Sequence, residues 1–454
     1  MSVMPTERLS ARAVVASLLI VLVAGVAAHS IVVVASESRS VVKWDGVAYF
    51  LFARTIVVDR DFDVASELEM ASGYFEQVSV ADVRSFTYVS PTSGRVRLPW
   101  PLGSGVVMAP FYAIGWVAET SIATVTNRPA DSYGNLPQRF FAVGSLVYCW
   151  LGMLCSYLIC CAIAPRAQAA LAVASVFLGG TLAFYTMVQP AMMHAASFGM
   201  AGLAVYLWWP MWHQWPQSKR MAVLGAVVGA LLTVRYQNAL FALLPAVLAV
   251  KVAWYQGLRR MAMVTAATLG GFMVPASLLV VYEFWFAGAR VPSAAEFIAA
   301  GRNPLDWSSP HFLDVLFSCQ HGLMYWTPVL GLGLIGLCLA ARRCPWARVF
   351  VAITLANVWV IGGLESQAGN WSGGAAFGAR YLTESSVFFA AGLAWLMAAV
   401  WKKLSLMAAS LILGTLVVAN LLLMGLFVTK QISPIGCVTH RDMIEATISL
   451  LRTL

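Results

Sequence analysis

From Ala13 to Ala35 the chain runs 23 residues without Asp, Glu, Lys or Arg. As a helix that run is long enough to cross a hydrocarbon core of about 30 Å. Further apolar runs follow near 140–164, 168–187, 194–211, 221–235, 238–254, 261–286, 323–341, 347–363, 385–401 and 404–428, making eleven. Inside a bilayer each run must satisfy its own backbone polar groups, so each is expected to be a helix. The reading is an all-α polytopic membrane protein, a single transmembrane domain over residues 1–454. Composition agrees: 60% of residues are apolar and 11% charged, far from any soluble domain of this length. A signal peptide would have a shorter apolar core, so Ala13–Ala35 reads as an uncleaved first span with its N-terminus in the cytoplasm.

The net charge of +9 would suggest an anionic partner in a soluble chain. Here the cations gather in short loops, at Arg166, Lys219/Arg220, Arg259/Arg260, Arg342/Arg343/Arg348 and Lys402/Lys403, where they set orientation. No charge run or basic–aromatic interleave points to nucleic acid. The five basic loops and the N-terminus share the cytoplasmic side only if residues 103–122, apolar but interrupted by Pro110 and three glycines, do not cross. That segment is therefore expected to be a second interfacial or re-entrant helix on the outer side. It lies within a first external loop, 36–139, and residues 429–454 form a short external tail. The eight cysteines show no CxxC and no metal spacing. Only Cys319 and Cys437 fall in external regions, where an oxidising exterior permits, without requiring, a disulfide.

Directly after the first span comes Trp44–Asp63, WDGVAYFLFARTIVVDRDFD. Its apolar part, Trp44–Val58, is roughly 22 Å long as a helix, too short to span, and is expected to lie in the interface. Asp45 stands at its N-terminus, Arg54 on its body, and Asp59, Asp61 and Asp63 at its end. A carboxylate there could act as a base on a lipid-borne substrate; the plain alternative is a helix N-cap. The other external loops add Arg95 and Arg97; QPAMMH, ending at His194; Arg235 in the turn at 235–238; Arg290, Glu296, Arg302, Asp306, His311, Asp314 and His321; and Glu365, Arg380, Tyr381 and Glu384. One carboxylate to deprotonate a hydroxyl and arginines to neutralise a phosphate leaving group suffice for glycosyl transfer from a lipid phosphate. His194 beside Pro190 could instead hold a broken helix end, and Arg380 could snorkel to headgroups.

The arrangement resembles the GT-C glycosyltransferases, multispanning enzymes that use polyprenyl-phosphate sugars. Members such as the protein O-mannosyltransferases and the lipid A aminoarabinose transferase carry an acidic residue just after span one. A juxtamembrane helix of the type D-x-x-x-Y-x-x-x-A-R follows, matched here by Asp45, Tyr49, Ala53 and Arg54. Pro101-Leu102-Gly103 is similar to the P-x-G that introduces a further interfacial helix. Pro190 to His194, Thr233 to Arg235, and Phe377 to Tyr381 resemble loop signatures of bacterial branches. The resemblance implies a GT-C-like bundle in the cytoplasmic membrane with its site facing outward. Asp45 would be the catalytic base, and Arg54, Arg235 and Arg380 would bind the donor phosphate. Tyr49, His194, His321 and Tyr381 would contact substrate. The activity implied is inverting transfer of one sugar from a polyprenyl (undecaprenyl) monophosphate to an envelope glycan or lipid-linked acceptor.

The chain departs from its models in two places. Gly46 stands where the O-mannosyltransferases have the second acid of an Asp-Glu pair, and Gln189 and His194 occupy a loop where the aminoarabinose transferase has an aspartate. No cofactor is therefore assigned, and a divalent metal is left open. Two other classes fit the composition, a transporter or flippase for an amphipathic lipid and a non-catalytic membrane subunit. A transporter should show inverted repeats and paired broken helices, and the sequence has no repeat.

Overall fold

The computed structural model describes residues 40–288, 305–364 and 370–453, together with 17, 19–20 and 23–25 of the first apolar run. Glu296, Arg290, Arg302 and Glu365 lie outside the described residues. The described residues are mostly helical; the one sheet among them is an antiparallel pair, Tyr88 opposite Arg97 and Val89 opposite Val96. Among the described residues seven helices are long and apolar enough to cross a membrane. They are Gly103–Val125, Asn135–Cys161, Tyr236–Gln256, Leu258–Phe286, Pro345–Gly362, Arg380–Ala399 and Leu406–Val428. The expected runs at 168–187 and 323–341 are broken. The first is Arg166–Leu178 followed by a separate π-helical turn, Phe184–Val188, and the second is split at Thr327 into Leu323–Trp326 and Pro328–Ala341. Proline at a helix start and the glycine pair Gly179-Gly180 account for these interruptions.

Two features of residues 36–139 were not legible in the sequence. Residues 103–122 are not interrupted by Pro110: the helix is continuous from Gly103 to Val125 and, by length and composition, qualifies as a span. The helix after the first apolar run, Asp45–Arg54, is enclosed by protein. Every residue from Gly46 to Arg54 is buried, as expected of a helix that is apolar all round. It is enclosed by Gly103–Val125, Gln77–Ser85 and the Gln189–His194 loop. Phe50 is packed edge-on by Phe75, Tyr112 and Phe141, at 5.5, 5.3 and 5.5 Å between centroids.

Two glycines make this enclosure possible. A Cβ on Gly105 would meet the backbone carbon of Phe52 at 2.8 Å. One on Gly46 would meet the Cβ of Ala191 at 2.7 Å. The residue after Asp45 thus has no room for a side chain. The outer helices show the opposite character. Leu258–Phe286 exposes Leu269, Met273, Val274, Val280 and Val281, and Leu406–Val428 exposes Met407, Leu411 and Val418, the surface a lipid-facing helix presents.

The tail is not loose. Cys319 and Cys437 form a disulfide, and the Tyr325 hydroxyl meets His440 Nδ1 at 2.8 Å. The amphipathic helix His440–Thr453 follows directly.

Candidate functional site

Five separate segments bring polar side chains to one place, where the buried helix begins. The backbone enters that helix through Trp44, whose φ of 51° is unusual for a non-glycine residue. Asp45 therefore stands in the first turn; the N-cap position itself belongs to Trp44, which makes no side-chain cap. Asp45 Oδ2 lies 3.4 Å from Arg380 Nη1. That is longer than the 2.7–2.9 Å of a tight charge-assisted bond. The two side chains are 19% and 17% exposed, so this pair is the open part of an otherwise buried cluster.

Arg380 heads a 3-10 turn, Arg380–Ser385, before the helix Ser386–Ala399. Thr383 donates to the Arg380 carbonyl at 2.6 Å, and the guanidinium lies over the Tyr381 ring and 3.4 Å from its hydroxyl. Arg235 ends the helix Ser218–Val234 in an extended conformation. Asn238 holds that helix end, donating to the Leu231 carbonyl at 3.2 Å and to Ser197 Oγ at 3.3 Å. Gln237 donates to the Tyr381 carbonyl at 2.8 Å and locks the two arginine turns together.

Arg235 also faces the Tyr381 ring, but its charge is already matched. Its Nη1 pairs with Glu384, which is wholly buried, and donates to His194 Nδ1 at 2.7 Å. An arginine only donates, so His194 Nδ1 carries no proton. The His194 ring packs on Tyr185, 4.3 Å between centroids, and the Tyr185 hydroxyl accepts from the Phe377 N–H at 3.1 Å. Tyr49, one turn beyond Asp45, is buried, and burial followed by the Asp45 charge raises its phenol well above the usual range, against the Arg235 and Arg380 charges.

His321 is close by on the far side of Arg380. With Arg380, Tyr381, Trp371 and Ser372 it lines one small cavity. Its backbone is left-handed, φ 61°, and its Nδ1 lies 2.9 Å from the Ser372 carbonyl. Burial, with a smaller push from the Arg380 charge and against the Ser372 hydrogen bond, lowers the imidazole to about 4.

The structure thus gathers Asp45, Tyr49, His194, Arg235, Arg380, Tyr381 and His321. It does not bring Arg54 to them. Arg54 is at the other end of the helix, nine residues or about 13 Å along its axis from Asp45. There it pairs with Asp59 and, at 2.8 Å, with Glu67, bonds Ser132 and lies over Tyr133. A buried guanidinium needs counter-ions nearby, and the sequence supplies two within 13 residues. Asp131 is equally remote: its carboxylate accepts from the Tyr133 N–H, and its own N–H bonds Glu119. His311 pairs with Asp314.

Two residues acquire a place that the sequence did not give them. Glu384 is the buried partner of Arg235. Asp82, on the helix Gln77–Ser85, has its acid raised by partial burial and then by the charge of Asp45, against the charge of Arg380. The spacing of Asp82 from Asp45 carries no signal of this, because a hairpin of short helices brings it back. Among the described residues no group of three or more His, Cys, Asp or Glu side chains is placed to hold a metal ion. Compared with protein-family models and with curated protein sequences, the chain matches none.

Proposed function

We propose that the chain is an inverting glycosyltransferase of the GT-C type, moving a sugar from a polyprenyl monophosphate to an envelope glycan or lipid-linked acceptor on the outer face of the cytoplasmic membrane. The observation that carries this reading is the open Asp45–Arg380 pair set in a buried polar cluster. A carboxylate and a guanidinium 3.4 Å apart, both partly exposed, fit a reaction that takes up a proton beside a departing phosphate. The acceptor hydroxyl attacks the anomeric carbon and gives its proton to Asp45. The new C–O bond forms as the bond to phosphate breaks, and the polyprenyl monophosphate leaves against Arg380. Arg235, neutralised by Glu384, holds His194 and Tyr381 in place around that pair. Arg54 serves the fold instead.

The packing of Gly103–Val125 supports keeping it on the outer side within an eleven-span bundle. Gly103 lies beside Thr233, two residues from Arg235. Further along, Tyr148 bonds the Val107 carbonyl and Gly115 packs on Pro137 and Phe140. The helix therefore runs antiparallel to the N-terminal half of Asn135–Cys161 and away from the site, without reaching the Cys161 end.

The test is to incubate purified protein with a panel of polyprenyl-phosphate hexoses and pentoses and candidate envelope glycans. Mass spectrometry should detect donor consumption and a glycan heavier by one sugar, with inverted anomeric configuration. Donor that moves between leaflets of a vesicle with no new glycosidic bond would overturn the transferase reading in favour of a flippase.

A further inference from the structure

Two residues that line the cavity beside Arg380, His321 and Arg380 itself, each carry a buried polar atom with no hydrogen-bond partner among the described residues, His321 Nε2 and Arg380 Nε. Their characters are fixed by what the other atoms of each group do. A carbonyl oxygen only accepts, so His321 Nδ1 must donate to Ser372, and a neutral ring then presents Nε2 as a lone pair. Arg380 Nε is an N–H donor at any accessible pH. The ring packs edge-on against Trp326, 4.8 Å between centroids. One buried acceptor and one buried donor thus belong to residues that line the same space, and leaving either unpaired is costly. That space leaves about 10 Å³ for the centre of a water-sized sphere, room for a single oxygen.

We propose that this chamber is a subsite for one hydroxyl group of a substrate sugar, which accepts from Arg380 Nε–H and donates to His321 Nε2. A hydroxyl is the group that both accepts and donates from a single oxygen. A phosphate or acetamido group is too large, and a carboxylate cannot donate. The far edge of the same guanidinium faces Asp45, so the subsite reads a hydroxyl of a sugar that lies over the reacting pair. The proposal rests on the transferase reading and deepens it: His321 becomes the residue that selects among sugars by hydroxyl position. The hydroxyl could belong to the donor or to the acceptor.

The test measures binding of polyprenyl-phosphate mannose, glucose, galactose and arabinose to the full-length protein in detergent, and then of the monodeoxy analogues of whichever binds best. One monodeoxy donor should bind at least about 10-fold more weakly than its parent, since its loss leaves two buried groups unpaired. His321→Leu should weaken the parent to match that analogue, and His321→Gln, which restores an acceptor oxygen, should recover part of the difference. If donor binding is indifferent but one monodeoxy acceptor shows a raised KM that His321→Leu abolishes, the hydroxyl is the acceptor's and the proposal also stands. Wild-type protein that transfers sugar yet discriminates against no monodeoxy donor or acceptor would show that the chamber holds only a structural water, and the proposal falls alone. Discrimination in binding without any transfer would sink the transferase reading and leave the subsite. No binding of any donor overturns both.

Discussion

At the scale of single residues, the cluster separates cations that look alike in the sequence. The sequence reads Arg54, Arg235 and Arg380 alike as lying in external regions, and the spacing of each from the nearest span gives no reason to distinguish them. What distinguishes them among the described residues is where their counter-ions lie: Arg54 has Glu67 and Asp59, Arg235 has Glu384, and Arg380 has only its loose contact with Asp45. Arg380→Ala should therefore weaken donor binding by about 10-fold or more, the scale of a lost charge-assisted bond to phosphate. Arg54→Ala should leave donor affinity near wild type and lower thermal stability, because it strands a buried Glu67; equal losses of donor affinity in both variants would contradict this division. His321 yields a prediction in pH. Its folded-state imidazole sits at about 4 against an ordinary value of 6.5. The unfolded chain therefore takes up the proton first as pH falls. The stability that depends on this difference is present above pH 6.5 and drains away towards pH 4, about 2 kcal/mol of it between pH 7.5 and 5. Thermal unfolding in detergent should show that slope in wild type and a shallower one in His321→Gln; identical slopes would mean that the histidine is accessible to protons in the folded protein.

At the scale of elements, the sequence shows where helices start and stop better than it shows what surrounds them. The short apolar stretch after the first span was legible as a helix with Asp45 at its head, because its length is too small for a bilayer. Its complete burial was not legible, since the residues that cover it come from Gly103–Val125 and Gln77–Ser85. Gly46 illustrates the point: as a sequence letter it is a missing acid, and in the fold it is the contact with Ala191 that seats Asp45 beside the His194 loop. Gly46→Ala should cost about 1–3 kcal/mol through overpacking and disturb activity by moving Asp45; a variant with wild-type stability and turnover would show that this contact is slack. The helix Gly103–Val125 raises the converse problem, because length and composition alone make it a candidate span. Its antiparallel packing on the N-terminal half of Asn135–Cys161 is invisible to hydropathy. Cysteines introduced at Ser121 and Ser132 should both react with an impermeant maleimide on intact cells. Labelling of Ser132→Cys only after permeabilisation would make the helix a true crossing and reverse the side assigned to the basic loops.

At the scale of the whole molecule, the class of the protein and the gathering of polar residues at one region were legible from apolar run lengths and basic loops. The roles of Glu384 and Asp82 were not, because they depend on which loops meet. The disulfide between Cys319 and Cys437 ties the tail to the loop two residues before His321. It closes a loop of 118 residues, so its removal by Cys437→Ser should cost about 2–5 kcal/mol. Neither native thiol should label on intact cells until reductant is added. The central claim is that Asp45, seated beside Arg380, is the base for sugar transfer. The most direct measurement compares turnover and donor affinity of wild type and Asp45→Asn with the same polyprenyl-phosphate sugar. The account predicts a fall in turnover of at least about 100-fold with donor affinity within a few-fold of wild type. Turnover that survives the substitution would contradict it and move the base to another carboxylate.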